Sequence, residues 1–317
     1  MESMEGSVKG EMNQKISDSK PLHIGKPKWL KTQLPSGEKY FKIREDLRTR
    51  RLATVCQEAK CPNIGKCWND ETATIMILGD TCTRACRFCN VKTGDPQGWL
   101  DDSEPEHVAQ TCYESGLKYV VLTMVDRDDL SDGGAGHVVK VVKAIKAVDA
   151  NMKVELLAGD FRGDFQALYN ILLSGVDVYA HNLETIERLT PKVRDARASY
   201  SQSLQVLAEA KNFIDSNSSL SGRVFTKSGL MLGLGENSDE IITTLKDMRA
   251  TGVSFVTIGQ YMRPSKKHLS VKRWVPPEEF DLLSKEALSL GFRSVAAAPL
   301  VRSSFRAREF YEAAVDC

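Results

Sequence analysis

Three things are missing from this sequence of 317 residues, and each absence excludes a class of protein. No apolar run approaches the roughly 20 residues of a membrane-spanning helix, so we expect no membrane partner. Neither sign of charge is in excess, since 43 Lys and Arg residues stand against 42 Asp and Glu residues. This balance gives no electrostatic reason to expect nucleic acid as a partner. No Pro- or Gly-rich linker divides residues 72–292, so we expect them to form one domain.

The amino-terminal stretch also lacks the features of a targeting segment. Residues 1–20 have no apolar core, as a secretory signal needs, and they are too acidic and too poor in arginine for a good transit peptide. We predict that residues 1–24 are a disordered tail. The predicted location is the cytoplasm, and the mitochondrial matrix is the alternative if a presequence has been removed.

Cysteine is what the sequence does contain, in two tight groups. Six of the eight cysteines lie between residues 56 and 89. A chain of this size, with 42% hydrophobic and 27% charged residues, does not resemble a small secreted domain held by disulfides. The grouping therefore indicates a reducing compartment and bound metal.

The later group, Cys82, Cys86 and Cys89, follows an apolar run at residues 74–78 that is typical of a buried strand. The short spacers let three sulfurs on one loop converge on one metal centre. Three protein ligands on a 4Fe–4S cluster would leave one iron open to a substrate or cofactor. Half of a zinc site is the main alternative, although no fourth Cys or His follows at the usual spacing.

The earlier group, Cys56, Cys61 and Cys67, has longer spacers that contain Pro62, Asn63 and Gly65. Proline, asparagine and glycine favour turns, so this backbone can fold back and bring its three sulfurs together. Zinc is again the alternative, and again a fourth nearby ligand is lacking. From the residues alone, both a second cluster and a zinc site stay open.

Strand-like and helix-like segments alternate after residue 118. With the strand before Cys82 they make six strand–helix units, which predicts a parallel sheet with right-handed crossovers. The predicted fold class is therefore α/β, a partial TIM-like barrel of six units. We divide the chain into an N-terminal cluster-binding extension at 25–71, the barrel at 72–292 and a C-terminal tail at 293–317. The predicted strands are 119–122, 153–157, 176–180, 224–232 and 253–258, and the predicted helices are 105–115, 138–148, 165–173, 203–213, 239–249 and 277–290.

Polar residues fall where the predicted strands end, which is where barrels place their chemistry. Each of them could instead be an ordinary turn or capping residue, and His181 could be structural. Their shared position at the strand ends favours a common site. They are Thr123, Asp126–Asp129, Asp160, Arg162, His181, Asn182, Glu184, Gly233–Glu236, Gln260 and Arg263.

The CxxxCxxC spacing of Cys82–Cys89, with Phe88 before the last cysteine, resembles the signature of the radical S-adenosylmethionine (SAM) superfamily. With CxxxxCxxxxxC upstream, at Cys56–Cys67, it resembles the lipoyl synthase family. The resemblance covers about residues 25–312. Further matching stretches are 54–59, 77–84, 125–130, 160–164, 181–185, 259–261 and 301–304.

This resemblance implies two 4Fe–4S clusters and SAM as cofactors. Cys82, Cys86 and Cys89 would hold the cluster that cleaves SAM. Cys56, Cys61, Cys67 and Ser304 would hold an auxiliary cluster, with Ser304 as an oxygen ligand in the motif Arg302–Phe305. The family has Tyr where Phe305 stands, and Ser-Gly-Pro where this chain has Ala297–Pro299.

By the same analogy, five residues are candidates for contacts to SAM. The stretch Gly229–Glu236 resembles the part of the superfamily that lies near the adenine ring. A lone glycine-rich strand end is weak evidence, because glycine also lets helices approach sheets closely. The candidates are Thr123, Arg127, Asn182, Glu184 and Glu236.

The implied activity is that of a sulfurtransferase, which inserts two sulfur atoms at carbons 6 and 8 of an octanoyl chain bound to a lysine. The auxiliary cluster would be the sulfur donor. The implied partners are octanoylated lipoyl carrier domains, namely acyltransferase subunits of 2-oxoacid dehydrogenases and the glycine cleavage H protein. The other implied partners are an electron donor, such as ferredoxin or flavodoxin, and an iron–sulfur carrier protein.

Three alternatives remain at this stage. Another radical SAM sulfur-inserting enzyme, of the biotin synthase kind, would lack the N-terminal cysteine group and the Arg-Ser-Ser tail. A two-cluster electron-transfer protein would normally use four protein ligands for each cluster. A zinc-stabilised binding module would be colourless, whereas an iron–sulfur protein is brown.

Overall fold

The computed structural model describes residues 25–32, 35–50, 52, 54–58, 61, 63–69 and 72–315. The predicted disordered tail at residues 1–24 lies outside the described residues. Within the described part of the chain, no helix has the length and apolar character needed to cross a membrane.

Seven parallel strands form the central sheet, in the order β1-β4-β5-β6-β7-β8-β9. A separate pair of two-residue strands, β2 and β3, flanks the loop that contains Cys82, Cys86 and Cys89. The bounds are β1 Thr72–Ile77, β2 Thr81–Cys82, β3 Lys92–Thr93, β4 Tyr119–Met124, β5 Lys153–Leu157, β6 Val178–Ala180, β7 Phe225–Leu232, β8 Phe255–Gln260 and β9 Ser294–Ala297.

Among the described residues, three helices precede the large sheet, one follows it, and the others connect its successive strands. The helices are α1 Glu38–Thr49, α2 Val55–Glu58, α3 Ile64–Asn69, α4 Glu104–Glu114, α5 Ala135–Val148, α6 Phe165–Leu172, α7 Thr190–Val193, α8 Tyr200–Ser216, α9 Ser238–Ala250, α10 Pro277–Ser289 and α11 Ala307–Val315. Single 3-10 turns occur at Lys28–Leu30, Phe161–Gly163 and Glu187–Leu189.

Local sequence explains where several of these helices begin. Asn237 and Glu240 form a reciprocal capping box at the start of α9, because each side chain accepts a hydrogen bond from the other residue's backbone N–H. Asp164 caps α6 and Ser199 caps α8 without a reciprocal bond, since in each case one side-chain oxygen accepts from backbone N–H of the first turn. These short polar residues stand directly before the predicted apolar helices.

The predicted α/β partial barrel is confirmed, and the sheet contains one more strand than the six predicted. The additional strand, β9, lies in the stretch predicted as the C-terminal tail and pairs with β8 from Phe255↔Ser294 to Ile258↔Ala297. Its sequence, Ser-Val-Ala-Ala, has too few large apolar residues to indicate a strand by itself. The predicted domain bounds stay a prediction.

The strand ends are nearly level, so their carboxyl ends meet at one edge. Ile77 is paired with Met124, Thr123 with Leu157, and Leu157 with Ala180. The loops that follow these strands therefore lie side by side, as in other parallel barrels. Inside the sheet, a separate apolar cluster includes the C-terminal helix α11, through Ala307, Tyr311 and Ala314, with Tyr119, Val121, Val178, Phe225 and Phe255.

Candidate metal centres and the residues around them

The loop after β1 brings Cys82, Cys86 and Cys89 together. All three are partly buried and form no disulfide. Burial is the main cause that raises the pKa of the Cys82 thiol to about 11 and that of Cys86 to about 12, and the neighbouring Cys89 is among the smaller contributions that raise each of them. The three sulfurs thus lie close enough to influence one another's charge. Binding of a metal would have to displace their protons.

Backbone N–H groups point at these sulfurs. The amide of Arg84 donates to Cys82 Sγ at 3.4 Å, and the amide of Asp195 donates to Cys86 Sγ at 3.3 Å. Such donors stabilise thiolate charge and fit sulfurs that ligate iron. In the part of the chain that the structure describes, no three His, Cys, Asp or Glu side chains are placed to hold a single metal ion.

Arg84 fixes the loop from inside the barrel. Its buried guanidinium donates to Asp128 at 3.0 Å and to Asp160 at 2.9 and 2.7 Å. Asp126, 3.6 Å from the same guanidinium, has a pKa raised to about 6, because burial outweighs the effect of Arg84. The strand-end residues Asp126, Asp128 and Asp160 are therefore anchors of the cysteine loop.

Sequence reasoning missed Asp195 and Arg197, which hold the other side of this loop. The Asp195 carboxylate accepts a hydrogen bond from the Ala85 amide at 2.8 Å. Arg197 donates to the Thr83 carbonyl at 2.7 Å and pairs with Asp128 at 3.1 Å. No local motif marks these residues, since their partners lie more than 60 positions away in the chain.

A third segment contacts the loop from the β8 side. One ring nitrogen of His268 lies 2.9 Å from the Cys89 carbonyl oxygen, and the amide of Leu269 donates to the Arg87 carbonyl at 3.3 Å. The predicted residue Arg263 donates to the His268 carbonyl at 2.9 Å and so braces this turn. The cysteine loop is thus held by segments that follow four different strands, β4, β5, β6 and β8.

The N-terminal group, Cys56, Cys61 and Cys67, lies against β1. Cys56 is buried, with a pKa raised to about 11 by burial and then by Cys61. Burial also raises the pKa of Cys61, whereas the Arg302 guanidinium lowers it. Arg302 therefore lies beside this cysteine group, although the two are far apart in sequence.

The C-terminal tail meets the N-terminal extension at two further contacts. The Asn63 side chain donates to the Leu300 carbonyl at 2.6 Å. The Lys66 ammonium lies 5.6 Å from the centre of the Phe305 ring, a cation–π contact. Both N-terminal residues stand between Cys61 and Cys67, and both tail residues flank Ser304. The fold thus brings the tail that contains Ser304 to the N-terminal cysteines.

A buried ion pair inside the barrel also holds the tail. Lys227 on β7 donates to Glu155 Oε1 on β5 at 2.7 Å and to the Ser303 carbonyl at 2.6 Å. The Tyr119 hydroxyl donates to the other oxygen of Glu155 at 2.8 Å. All the polar atoms of this network have partners, as a buried ion pair requires.

Two predicted SAM contacts, Asn182 and Glu184, lie beside the cysteine loop. Glu184 has a positive φ of 68°, and the pKa of Cys89 is raised first by burial and then by the Glu184 carboxylate. Asn182 Nδ2 donates to Glu184 at 3.1 Å, whereas the buried Asn182 Oδ1 has no partner among the described residues. A buried acceptor with no partner fits a site that receives a polar ligand.

The other predicted SAM contacts have different surroundings. Thr123 is buried at the end of β4. Arg127 is fully buried and donates to Asp129 at 2.8 Å and to the carbonyls of Leu78 and Trp99 at 3.1 and 2.9 Å. Glu236 accepts from the amides of its own loop, including Leu234 at 2.9 Å. Arg127 and Glu236 thus already hold protein groups.

The remaining strand-end residues are mostly structural. His181 is buried between the Ala158 carbonyl, at 3.0 Å, and the Ser203 hydroxyl, at 2.9 Å. Gln260 bonds backbone groups on both sides of its strand end, among them the amide of Val275 at 2.8 Å. Arg162 donates to loop carbonyls, including that of Ser131 at 2.7 Å. Their contacts therefore agree with the alternative that these three residues have a structural role.

Two family models match the chain. The Radical SAM superfamily matches residues 76–248, and the N-terminal domain of lipoyl synthase of the Radical SAM family matches residues 2–61. The lipoyl synthase of Thermus thermophilus is 52% identical over 294 residues, which cover 92% of this chain and 89% of the relative. The mitochondrial lipoyl synthase of Zygosaccharomyces rouxii is 54% identical over 290 residues, covering 90% and 73%.

Solved structures resemble the fold at low sequence identity. The FeFe-hydrogenase maturase HydG from Carboxydothermus hydrogenoformans has a TM-score of 0.55 and 12% identity, covering 97% of this chain and 71% of that chain. Streptococcus suis SuiB bound to S-adenosylmethionine has a TM-score of 0.54 and 9% identity, covering 75% and 53%. At this identity the likeness concerns the fold alone.

Proposed function

Because the chain belongs to the lipoyl synthase family of radical SAM enzymes, we propose that its two cysteine groups hold two 4Fe–4S clusters with different tasks. The chain is a sulfurtransferase. It inserts two sulfur atoms, at carbons 6 and 8, into an octanoyl chain bound to a lysine of a lipoyl carrier domain. The resemblance seen in the motifs is thereby confirmed for family, activity and fold.

The chemistry explains why such a protein needs cofactors. Carbons 6 and 8 of an octanoyl chain have no acidic proton, so side-chain acids and bases cannot activate them. When bound, the clusters and SAM supply the radical that removes hydrogen and the sulfur that replaces it. The protein's own tasks are to bind these groups, to orient the octanoyl chain and to exclude water.

In this proposal Cys82, Cys86 and Cys89 hold the cluster that binds SAM. Support comes from the backbone donors to Cys82 and Cys86 at 3.4 and 3.3 Å, which stabilise thiolate sulfur. Asn182 and Glu184 would contact SAM beside Cys89, with Thr123 nearby. Arg127 and Glu236 would contribute by holding the loops around the cofactor.

Cys56, Cys61, Cys67 and Ser304 would hold the auxiliary cluster, which would be the sulfur donor. The observation that supports this assignment best is the Asn63–Leu300 hydrogen bond of 2.6 Å, which ties the N-terminal cysteine segment to the tail just before Ser304. The Arg302 guanidinium, which lowers the pKa of Cys61, also places the tail beside this cysteine group. A serine oxygen is a weaker ligand for iron than a thiolate, so Ser304 would be the ligand that leaves most easily.

The proposed substrates are octanoylated acyltransferase domains of 2-oxoacid dehydrogenases and the octanoylated H protein. Ferredoxin or flavodoxin would supply electrons, and an iron–sulfur carrier protein would rebuild the auxiliary cluster. Location in the cytoplasm, or in the mitochondrial matrix, stays a prediction. Relatives named mitochondrial come from yeasts and flies.

Anaerobic reconstitution with iron and sulfide tests the proposal. We expect about eight irons per chain, two 4Fe–4S clusters. After addition of dithionite, SAM and an octanoyl-lysine peptide, we expect 5′-deoxyadenosine and a peptide with two added sulfurs. About four irons would overturn the auxiliary assignment. Cleavage of SAM without sulfur insertion would overturn the role of the auxiliary cluster as the sulfur donor. A colourless zinc protein would overturn both centres.

A further inference from the structure

A group of exposed cations lies on the cysteine loop Cys82–Cys89 and on two segments that are hydrogen-bonded to it. We call it the cationic rim, and it consists of Arg87, Lys192, Arg263, Lys266 and Lys267, all of them exposed. The segment 261–273 alone contains five Lys and Arg residues and no Asp or Glu. The whole chain, by contrast, has a net charge of +1. Positive charge is therefore concentrated locally, where the overall composition gives no sign of it.

Hydrogen bonds join the segments that carry these cations to the cysteine loop. The amide of Arg87 donates to the Val193 carbonyl at 2.9 Å, so the segment of Lys192 is joined to the cysteine loop. The contacts of His268 and Leu269 with that loop, at 2.9 and 3.3 Å, join the turn of Arg263–Lys267 to it. The segments that carry Lys192 and Arg263–Lys267 are therefore both fixed to the loop that carries Arg87.

The described residues do not neutralise the charge of the rim. None of its five members forms an ion pair within the described part of the chain. Asp128 and Asp195, two carboxylates that contact the cysteine loop, have side chains that are only 14% and 10% exposed, and both are paired with Arg197. A patch of one sign attracts partners of the opposite charge over about a Debye length.

We propose that the cationic rim is the docking surface for the carrier domain, and that the domain meets it with acidic side chains around its octanoyl-lysine. This inference rests on the proposed function, because the octanoyl chain must reach the SAM site beside Cys89. A folded domain that inserts its modified lysine there has to lie against the exposed residues on and beside the cysteine loop. Cations spread over three exposed segments match an acidic protein surface better than one small anion.

Charge reversal on the rim tests the proposal. We expect Lys266→Glu together with Lys267→Glu to raise the KM for an octanoylated carrier domain about tenfold or more at low salt. The KM for a neutral octanoyl-lysine peptide and the kcat for both substrates should stay within about twofold of the wild type. The matched control is Lys140→Glu with Lys143→Glu, two exposed residues of α5 that receive the same change of charge. It should leave the KM for the domain unchanged.

An equal rise of KM for domain and peptide would overturn the proposal, since it would mean that the turn beside Cys89 has been distorted. An unchanged KM for the domain would overturn it too. If the double variant does not fold, Lys192→Glu provides the same test on another segment. A salt series on the wild type needs no variant, and there only the KM for the domain should rise with salt. Failure of the wild type to modify even the peptide would instead count against the proposed function.

Discussion

The Nζ atom of Lys227 donates a hydrogen bond of 2.6 Å to the carbonyl oxygen of Ser303, the residue before the proposed iron ligand Ser304. Lys227 also pairs with Glu155 at 2.7 Å, and the two side chains are 4% and 1% exposed. A buried ion pair adds little net stability, because desolvation offsets the attraction between its charges. Its effect on this protein is therefore positional, since it holds the tail at one place inside the barrel.

We predict that removal of this pair loosens the auxiliary site. In a variant with Cys82, Cys86 and Cys89 changed to Ala, only the auxiliary site is left. This variant should bind about four irons per chain. Lys227→Met with Glu155→Leu should bind clearly fewer, because Ser303 loses its anchor while no buried charge stays unpaired. Iron content and the Mössbauer spectrum measure this outcome directly. Tyr119→Phe, which removes only the hydrogen bond to the other oxygen of Glu155 and keeps both the ion pair and the bond from Lys227 to Ser303, is the control and should bind the full amount.

Arg84 should contribute strongly to stability, because it neutralises buried carboxylates. Its side chain is 3% exposed, and it pairs with Asp128 and Asp160 at 3.0 and 2.7 Å. Arg84→Met leaves these carboxylates without their partner, and we expect a loss of about 3–5 kcal/mol in the free energy of unfolding. Urea denaturation of the metal-free protein measures it. The exposed pair Arg48–Glu45 gives the control, since Arg48→Met should change the unfolding midpoint very little.

His181 should make the protein less stable in acid. Burial, and then the nearby Arg194, lower its pKa from 6.5 to about 4. The folded state therefore binds its proton only below about pH 4, whereas the unfolded state binds it below about 6.5. The stabilisation is complete above the unfolded pKa and is lost as the pH falls toward the folded pKa, by about 2 kcal/mol between pH 7 and 4.5. His181→Gln should lack this part of the pH dependence, as urea titrations at both pH values would reveal.

Much of this architecture follows from local patterns in the sequence. Alternation of apolar segments predicts the strands, and the cysteine spacing predicts which loop holds the first metal centre. Asn182 and Glu184 are found correctly at a strand end because their positions follow from topology alone. Asp195, by contrast, touches Cys86 across 109 positions of sequence, and no spacing rule predicts such a contact.

Two other features that the sequence alone does not show have a similar physical cause. Lys227 lies within a strand of buried residues, and its partner Glu155 lies on another strand. Neither charge could be recognised as buried without the three-dimensional pairing. Glu236 has the right position for a cofactor contact, yet its carboxylate bonds the amides of its own turn. Sequence shows which residues are near the site, whereas the hydrogen bonds show which of them are still available to a ligand.

That distinction predicts different effects for two of the proposed SAM contacts. Asn182→Ala should raise the KM for SAM about tenfold, because its buried oxygen has no partner among the described residues. Arg127→Met should lower the free energy of unfolding, since the side chain of Arg127 is 0% exposed and pairs with Asp129 at 2.8 Å. Equilibrium binding of SAM to the reconstituted protein, together with urea denaturation, separates the two effects. A normal affinity of the Asn182 variant for SAM would contradict the first of them.

Ser304 should matter both for assembly of the auxiliary centre and for the second sulfur insertion. Ser304→Ala should reduce the iron bound at the auxiliary site, because three thiolates alone leave one iron without a protein ligand. Ser304→Cys should keep the iron, since thiolate binds it more tightly than a serine oxygen, but should slow the second insertion and let the singly thiolated peptide accumulate. Iron content and mass spectrometry of the peptide over time distinguish these outcomes. A Ser304→Cys enzyme that makes the doubly thiolated peptide at the full rate would show that release of this ligand is not needed.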